Sequence, residues 1–211
     1  WVSTMANYFF MGFEYLVGHS LTKKTNIFNI VASFQKIDLF ILMVMCRGSS
    51  YFSSPWACSG QNQGFTKELY NRAGGFKSIT KFIGDDTPFL QRCKKIGAKI
   101  SFIDSPAARI FSRQEFNISR FLSQRIRWMF DANQIWRINI TFYIILIITF
   151  LFYLMIPLFI FLSIMDLTLI LFLLILKLLL EWILVYIGSI KYYTTISFFD
   201  FIIWQLFHIP Y

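Results

Sequence analysis

The sequence predicts an α/β layered domain that passes through an amphipathic helix into apolar, membrane-spanning helices. Three observations carry this. Over the first 115 residues, short runs alternating apolar and polar positions are interleaved with stretches of helical period, the pattern of strands and helices packed in layers. Charge is unevenly divided. Residues 1–139 hold 18 Lys and Arg against 8 Asp and Glu, a net of +10, whereas residues 140–211 hold Lys177 and Lys191 against Asp166, Glu181 and Asp200, a net of −1. Finally, 56% of the 211 residues are hydrophobic, more than an average soluble domain carries. A basic part joined to a nearly uncharged apolar part suits a domain held against an anionic leaflet. The positive charges are scattered, with no run of five, so no nucleic-acid partner is expected.

In chain order, residues 8–18 are aromatic and β-branched and end in Gly, predicting a buried strand near Glu14–Val17. His19 follows with a structural rather than functional expectation. Residues 21–26 are polar and read as a loop. From Phe28 to Cys46, Phe34, Ile37, Phe40, Ile41 and Val44 recur at helical spacing, predicting a helix packed on one face. Ser, Pro and Gly punctuate Gly48 to Gly64, which reads as a loop with a short extended piece around Trp56–Ser59. Thr66–Arg72 predicts a short helix stopped by Gly74-Gly75. Gly84-Asp85-Asp86-Thr87-Pro88 opens another, with Pro88 near the first turn, where its missing N–H is tolerated; it runs to Lys95 and stops at Gly97. Lys99–Asp104 and Ala108–Ser112 alternate as strands.

Asn117 or Ser119 can cap a helix reaching Arg137. Phe121, Leu122, Trp128, Met129, Ile135 and Trp136 give it an apolar surface; Arg120, Arg125, Arg127 and Arg137 give it a basic one. Such a helix just before a span suits the membrane interface. The expected division is 1–115 for the α/β part, 116–139 for the interface helix, and 140–211 for the membrane region. Spans are expected at about 140–165, with Pro157 as a kink, and 167–187, with a partial third span or interface helix at 197–211. Lys177 and Glu181 are four apart on one helix face and are expected to pair. The positive-inside rule puts both ends of the span pair in the cytosol. Cys46, Cys58 and Cys93 have no zinc spacing and an odd count, so reduced buried thiols are expected.

Three local features can carry chemistry. Adjacent carboxylates repel, so Asp85-Asp86 can hold one raised pKa and supply a base, although at a helix start they equally cap it. Gln124, Arg127 and Trp128, with Arg125 beside them, combine on one helix an amide, planar guanidinia able to bind diphosphate oxygens in bidentate fashion, and an aromatic platform for a sugar face. An ordinary basic interfacial helix has the same pattern. Gly60 allows close backbone approach and Asn62 can bind a hydroxyl, though alone this is a turn.

Together these features resemble family 2 membrane-bound glycosyltransferases, the group of cellulose, chitin and hyaluronan synthases. Gly60/Asn62, Gly74-Gly75-Phe76, Asp85-Asp86, Gln124/Arg127/Trp128 and an apolar span from Ile140 stand in the family's order over most of residues 1–139. The resemblance implies a GT-A (Rossmann-like) α/β fold of which this is the C-terminal, acceptor part. It implies inverting transfer from a nucleotide sugar, a UDP-sugar for preference, to a lipid, lipid-linked or polysaccharide acceptor. Asp86 would be the base beside Asp85, and Gln124, Arg125, Arg127, Trp128, Gly60 and Asn62 would line the acceptor and diphosphate side. The family's metal-holding Asp-x-Asp is absent here. Its Mg²⁺ or Mn²⁺ ligands are expected upstream of Trp1, so the isolated fragment is expected to be inactive. The expected location is a cytoplasmic (inner) membrane, multi-pass, with a cytosolic catalytic part in contact with membrane lipids. The alternative is a non-catalytic, membrane-anchored module binding anionic lipid or a partner protein.

Overall fold

A computed structural model describes residues 1–23, 29–52, 55–162 and 166–208. It is a mixed α/β structure with two small sheets and a helical C-terminal region. Helix α1 (Val2–Phe10), absent from the sequence reading, leads to strand β1 (Tyr15–Gly18). All four β1 residues are buried, as a continuous apolar run demands of a central strand covered on both faces. β1 pairs in parallel with β4 (Ile100–Ile103) and antiparallel with β3 (Gln63–Phe65).

Leu21 and Thr22, expected in a loop over 21–26, belong to strand β2 (Ser20–Thr22), paired in parallel with β5 (Ile110–Ser112), while positions 24–26 of that expected loop lie outside the described residues. Only Leu21 of the three is apolar, too short a pattern to signal a strand locally; the partner strand supplies it. The piece expected as extended around Trp56–Ser59 lies in a loop and is extended at Ser59 (φ −99°, ψ 124°); the strand nearest to it is β3, four residues later.

Helix α2 (Ile30–Tyr51) starts where the Asn29 side chain accepts the Ala32 N–H, and it runs on through Gly48, where the sequence predicted a loop. Gly is a weak helix breaker when tertiary contacts hold the helix. Here Arg47 clasps Asp104, at the end of β4, through two parallel bonds of 2.7 and 2.8 Å. α2 bridges two cores. Met43 and Cys46 face one formed with Tyr15, Leu69, Phe89 and Cys93. Phe34, Ile37 and Phe40 face another formed with C-terminal helices.

α3 (Lys67–Arg72) is capped by the Thr66 hydroxyl and ends at Gly74 and Gly75, both at positive φ. α4 (Asp86–Lys95) ends before Gly97, also at positive φ, as expected. α5 (Ile118–Ala132) is capped by the Asn117 side chain, as the sequence suggested, but stops at Ala132 instead of Arg137; a separate 3₁₀ turn spans Ile135–Arg137. All three cysteines are free and buried.

Helix α6 (Ile140–Leu162) continues through position 157, and Asp166 caps α7 (Leu167–Lys191) by accepting the Thr168 N–H. α7 is long and apolar enough to cross a membrane. Residues 163–165 and 209–211, at the ends of the first expected span and of the last segment, lie outside the described residues. α8 (Phe198–His208) folds back along α7: Trp182 packs on Phe198 and Phe201, and Lys177 reaches Gln205. Lys177 pairs with Glu181 at 2.8 Å as expected, and Gln205 and the Tyr153 hydroxyl also donate to that carboxylate. A carboxylate among apolar helices is thereby satisfied on both oxygens.

Candidate active site

The acid pair sits where α4 begins. Asp85 is exposed and makes no side-chain cap, contrary to the capping expectation. Asp86 is half-buried, and both of its oxygens are engaged: Oδ1 accepts the Thr87 N–H at 2.7 Å and Oδ2 the Gly60 N–H at 2.9 Å. Burial pushes its carboxyl above the usual range; the Thr87 and Gly60 amides offset part of this, and Asp85 adds to the rise. A Cβ at Gly60 would come within 3.2 Å of Asp86 Oδ2, so the missing side chain is what lets this backbone N–H approach the carboxylate. Gly60 therefore belongs to the site as a support of Asp86.

Asn62 has a different place. It is fully buried, donates to the carbonyls of His19 at 3.0 Å and Ala108 at 2.8 Å, and accepts the Trp1 indole N–H at 2.9 Å. A Cβ at Gly18 would overlap its amide. All this hydrogen bonding is spent on joining the β1–β2 corner, the turn before β5 and α1. The expected hydroxyl-binding role is corrected to that of an internal lock.

Gln124, Arg127 and Trp128 lie within about 100° of one another around α5. Gln124 is half-buried, Arg127 exposed and Trp128 39% exposed. Arg125 points elsewhere. It is 4% exposed, pairs with Asp38 of α2 at 2.6 Å, and lies over the Phe121 and Trp128 rings at 4.9 and 4.2 Å. The expected diphosphate-binding role is corrected: Arg125 anchors α5 to α2 and braces Trp128 from beneath. Two positions before Arg127, it lies about 160° from that side chain around the axis, which the linear motif conceals.

Asp131, which the sequence reading passed over, joins the two halves of the site. Its Oδ1 accepts the Ile83 N–H at 2.8 Å and its Oδ2 the Gly84 N–H at 2.7 Å. The signal was present: Asp131 follows Gln124 by seven and Trp128 by three, so it shares their stripe. Among the described residues no group of three His, Cys, Asp or Glu side chains is arranged to hold a metal ion.

The acid pair at the start of α4, supported by the Gly60 N–H, is thus tied to the Gln-x-x-Arg-Trp helix on a mixed α/β structure. A family model described as glycosyl transferase family group 2 matches residues 6–201, and the chain belongs to that family. No curated protein matches the chain. Membership brings glycosyl transfer from a nucleotide-sugar donor to an acceptor as the general activity.

Proposed function

We propose that this chain carries the acceptor side of an inverting glycosyltransferase, acting at the cytoplasmic face of a membrane with Asp86 as general base. The observation that supports it is the Asp86 carboxylate, half-buried, raised in pKa and fixed by two backbone N–H groups. Each of its oxygens has a lone pair left for an acceptor hydroxyl. The acceptor oxygen attacks the anomeric carbon, and its proton passes to Asp86. The bond from the anomeric carbon to the diphosphate oxygen breaks, and the electron pair leaves with the nucleoside diphosphate. A base whose pKa is shifted toward the working pH suits this role.

Arg127, exposed on α5, offers its planar fork to diphosphate oxygens, and Trp128 offers its ring to a sugar face. Gln124 completes that stripe as a hydrogen-bonding amide. Mg²⁺ or Mn²⁺ enters the proposal as a donor-binding requirement met outside the described residues. The donor is proposed to be a UDP-sugar and the acceptor a lipid, lipid-linked sugar or glycan. The apolar α7, long enough to cross a membrane, supports the membrane part of this reading; a multi-pass protein of the cytoplasmic membrane is proposed with it.

The test is transfer by the natural full-length protein in membranes, with a panel of nucleotide sugars, Mg²⁺ or Mn²⁺, and extracted lipid as acceptor. Asp86→Asn should lower kcat about 10²–10⁴-fold, while Tm stays level or rises, because the ionised carboxylate is disfavoured by burial. Turnover near the parent's in that variant would refute the base. Arg127→Lys should also slow transfer, since a point charge does not replace a fork. A folded protein that binds anionic vesicles and transfers no sugar would favour a non-catalytic membrane module.

A further inference from the structure

We propose that Asp131 is a positioning residue that fixes the acid-pair loop against the Gln124/Arg127/Trp128 stripe; this rests on the general-base reading of Asp86. Asp131 lies in the last turn of α5, which ends at Ala132. A carboxylate there opposes the helix macrodipole and costs about 0.3–1 kcal/mol. Its contacts offset that cost. The two oxygens take two successive backbone N–H groups, Ile83 at 2.8 Å and Gly84 at 2.7 Å, immediately before Asp85-Asp86. Bonds to a charged acceptor are stronger than neutral ones, and a two-point grip fixes direction as well as distance.

Gly84 makes the grip possible. A Cβ there would meet Asp131 Oδ2 at 2.9 Å and Asp86 Oδ1 at 3.4 Å. The glycine is thus wedged between the proposed base and the clamp, and its φ is not in the left-handed region. Steric room, not backbone freedom, is what this glycine supplies. Asp131 shares a helix stripe with Gln124, Arg127 and Trp128, lying about 20° from Gln124 around the axis. The clamp therefore places that stripe and the acid pair on the same side of α5. It acts on the acceptor through Asp86 and touches no substrate itself.

The experiment uses the full-length enzyme in membranes and compares Asp131→Ala, Gly84→Ala, their double variant and Asp86→Asn. Asp131→Ala should lower kcat about 10–100-fold, the order expected for misplacing a reacting group by an ångström, with donor KM nearly unchanged. The acidic limb of its pH–rate profile should move to lower pH, because a loosened loop exposes Asp86 to water. Gly84→Ala, with the clamp still present, should do the same by pushing the carboxylate away. The double variant should be no worse than either single one. Parent-like kcat in Asp131→Ala, an unmoved acidic limb, or additive losses in the double variant would each overturn the clamp. If Asp86→Asn is inactive while Asp131→Ala is parent-like, the clamp alone fails. If Asp86→Asn turns over normally, the base reading fails, and the limb shift loses its source with it.

Discussion

Asn62 and Asp86 lie close in the fold and hold opposite kinds of position. Asn62 is buried with its amide hydrogen bonds all made within the protein, so it belongs to stability. Asp86 is half-buried with a carboxyl shifted upward, so its ionised form works against the fold and suits chemistry. Asn62→Ala would strip partners from Trp1, His19 and Ala108. Each buried group left unsatisfied costs about 1–3 kcal/mol, so a Tm drop of many degrees is expected in thermal unfolding. An unchanged Tm would mean water replaces the amide. Arg125 belongs with Asn62. Its charge is taken by Asp38, and Arg125→Met should loosen α5 from α2 without acting as a ligand loss.

At the scale of elements, α2 decides how the α/β part meets the C-terminal helices. Gly188 of α7 sits against it so closely that a Cβ would lie 3.0 Å from both Phe40 and Val44. Gly188→Ala therefore overpacks the contact and should cost about 1–3 kcal/mol. Gly48, within α2, has nothing within 4 Å of its Cβ position. Gly48→Ala should stabilise by about 0.5–1 kcal/mol, the helix preference for Ala over Gly. Chemical denaturation of both variants in the same detergent checks the pair. Two substitutions of equal sign would show that α2 and α7 are not packed as described. The contrast is invisible in the sequence, where both are single glycines followed by a serine.

For the whole molecule, His19 lies where β1, α2 and the chain after α7 meet. It is fully buried, stacked on Tyr192 at 3.9 Å and flanked by Phe40 and Phe102. Burial first, and then the Arg109 charge, lowers its pKa from 6.5 to about 4. The unfolded chain takes up a proton as pH falls below 6.5, whereas the folded one does so only near 4. Stability is therefore full above 6.5 and is lost through the window from 6.5 to 4. At about 1.4 kcal/mol per pH unit the loss is roughly 3 kcal/mol. Denaturation curves at pH 7 and pH 4.5 should differ accordingly, and His19→Leu should remove most of that difference. Equal pH dependence in both proteins would place the acid sensitivity elsewhere.

The sequence by itself determined what is written in local period and local chemistry. The central strand, the cap at Asn117, the glycine stops at 74, 75 and 97, the Lys177–Glu181 pair and the apolar C-terminal helices follow from spacing and residue type. So does the family, because its motifs keep their order along the chain. Only tertiary structure decided which polar side chains face outward. Asn62 and Arg125 were read as ligands because an amide and a guanidinium have the same chemistry on a surface and in a core. What separates them is whether a carbonyl from the β1–β2 corner or a carboxylate from α2 arrives to take the bonds. Strand β2 and the run of α2 through Gly48 depend likewise on partners 57 to 90 residues away. Asp131 lay between both cases: its helical register was legible, but the amides of Ile83 and Gly84 come to it only when α5 folds back over the start of α4.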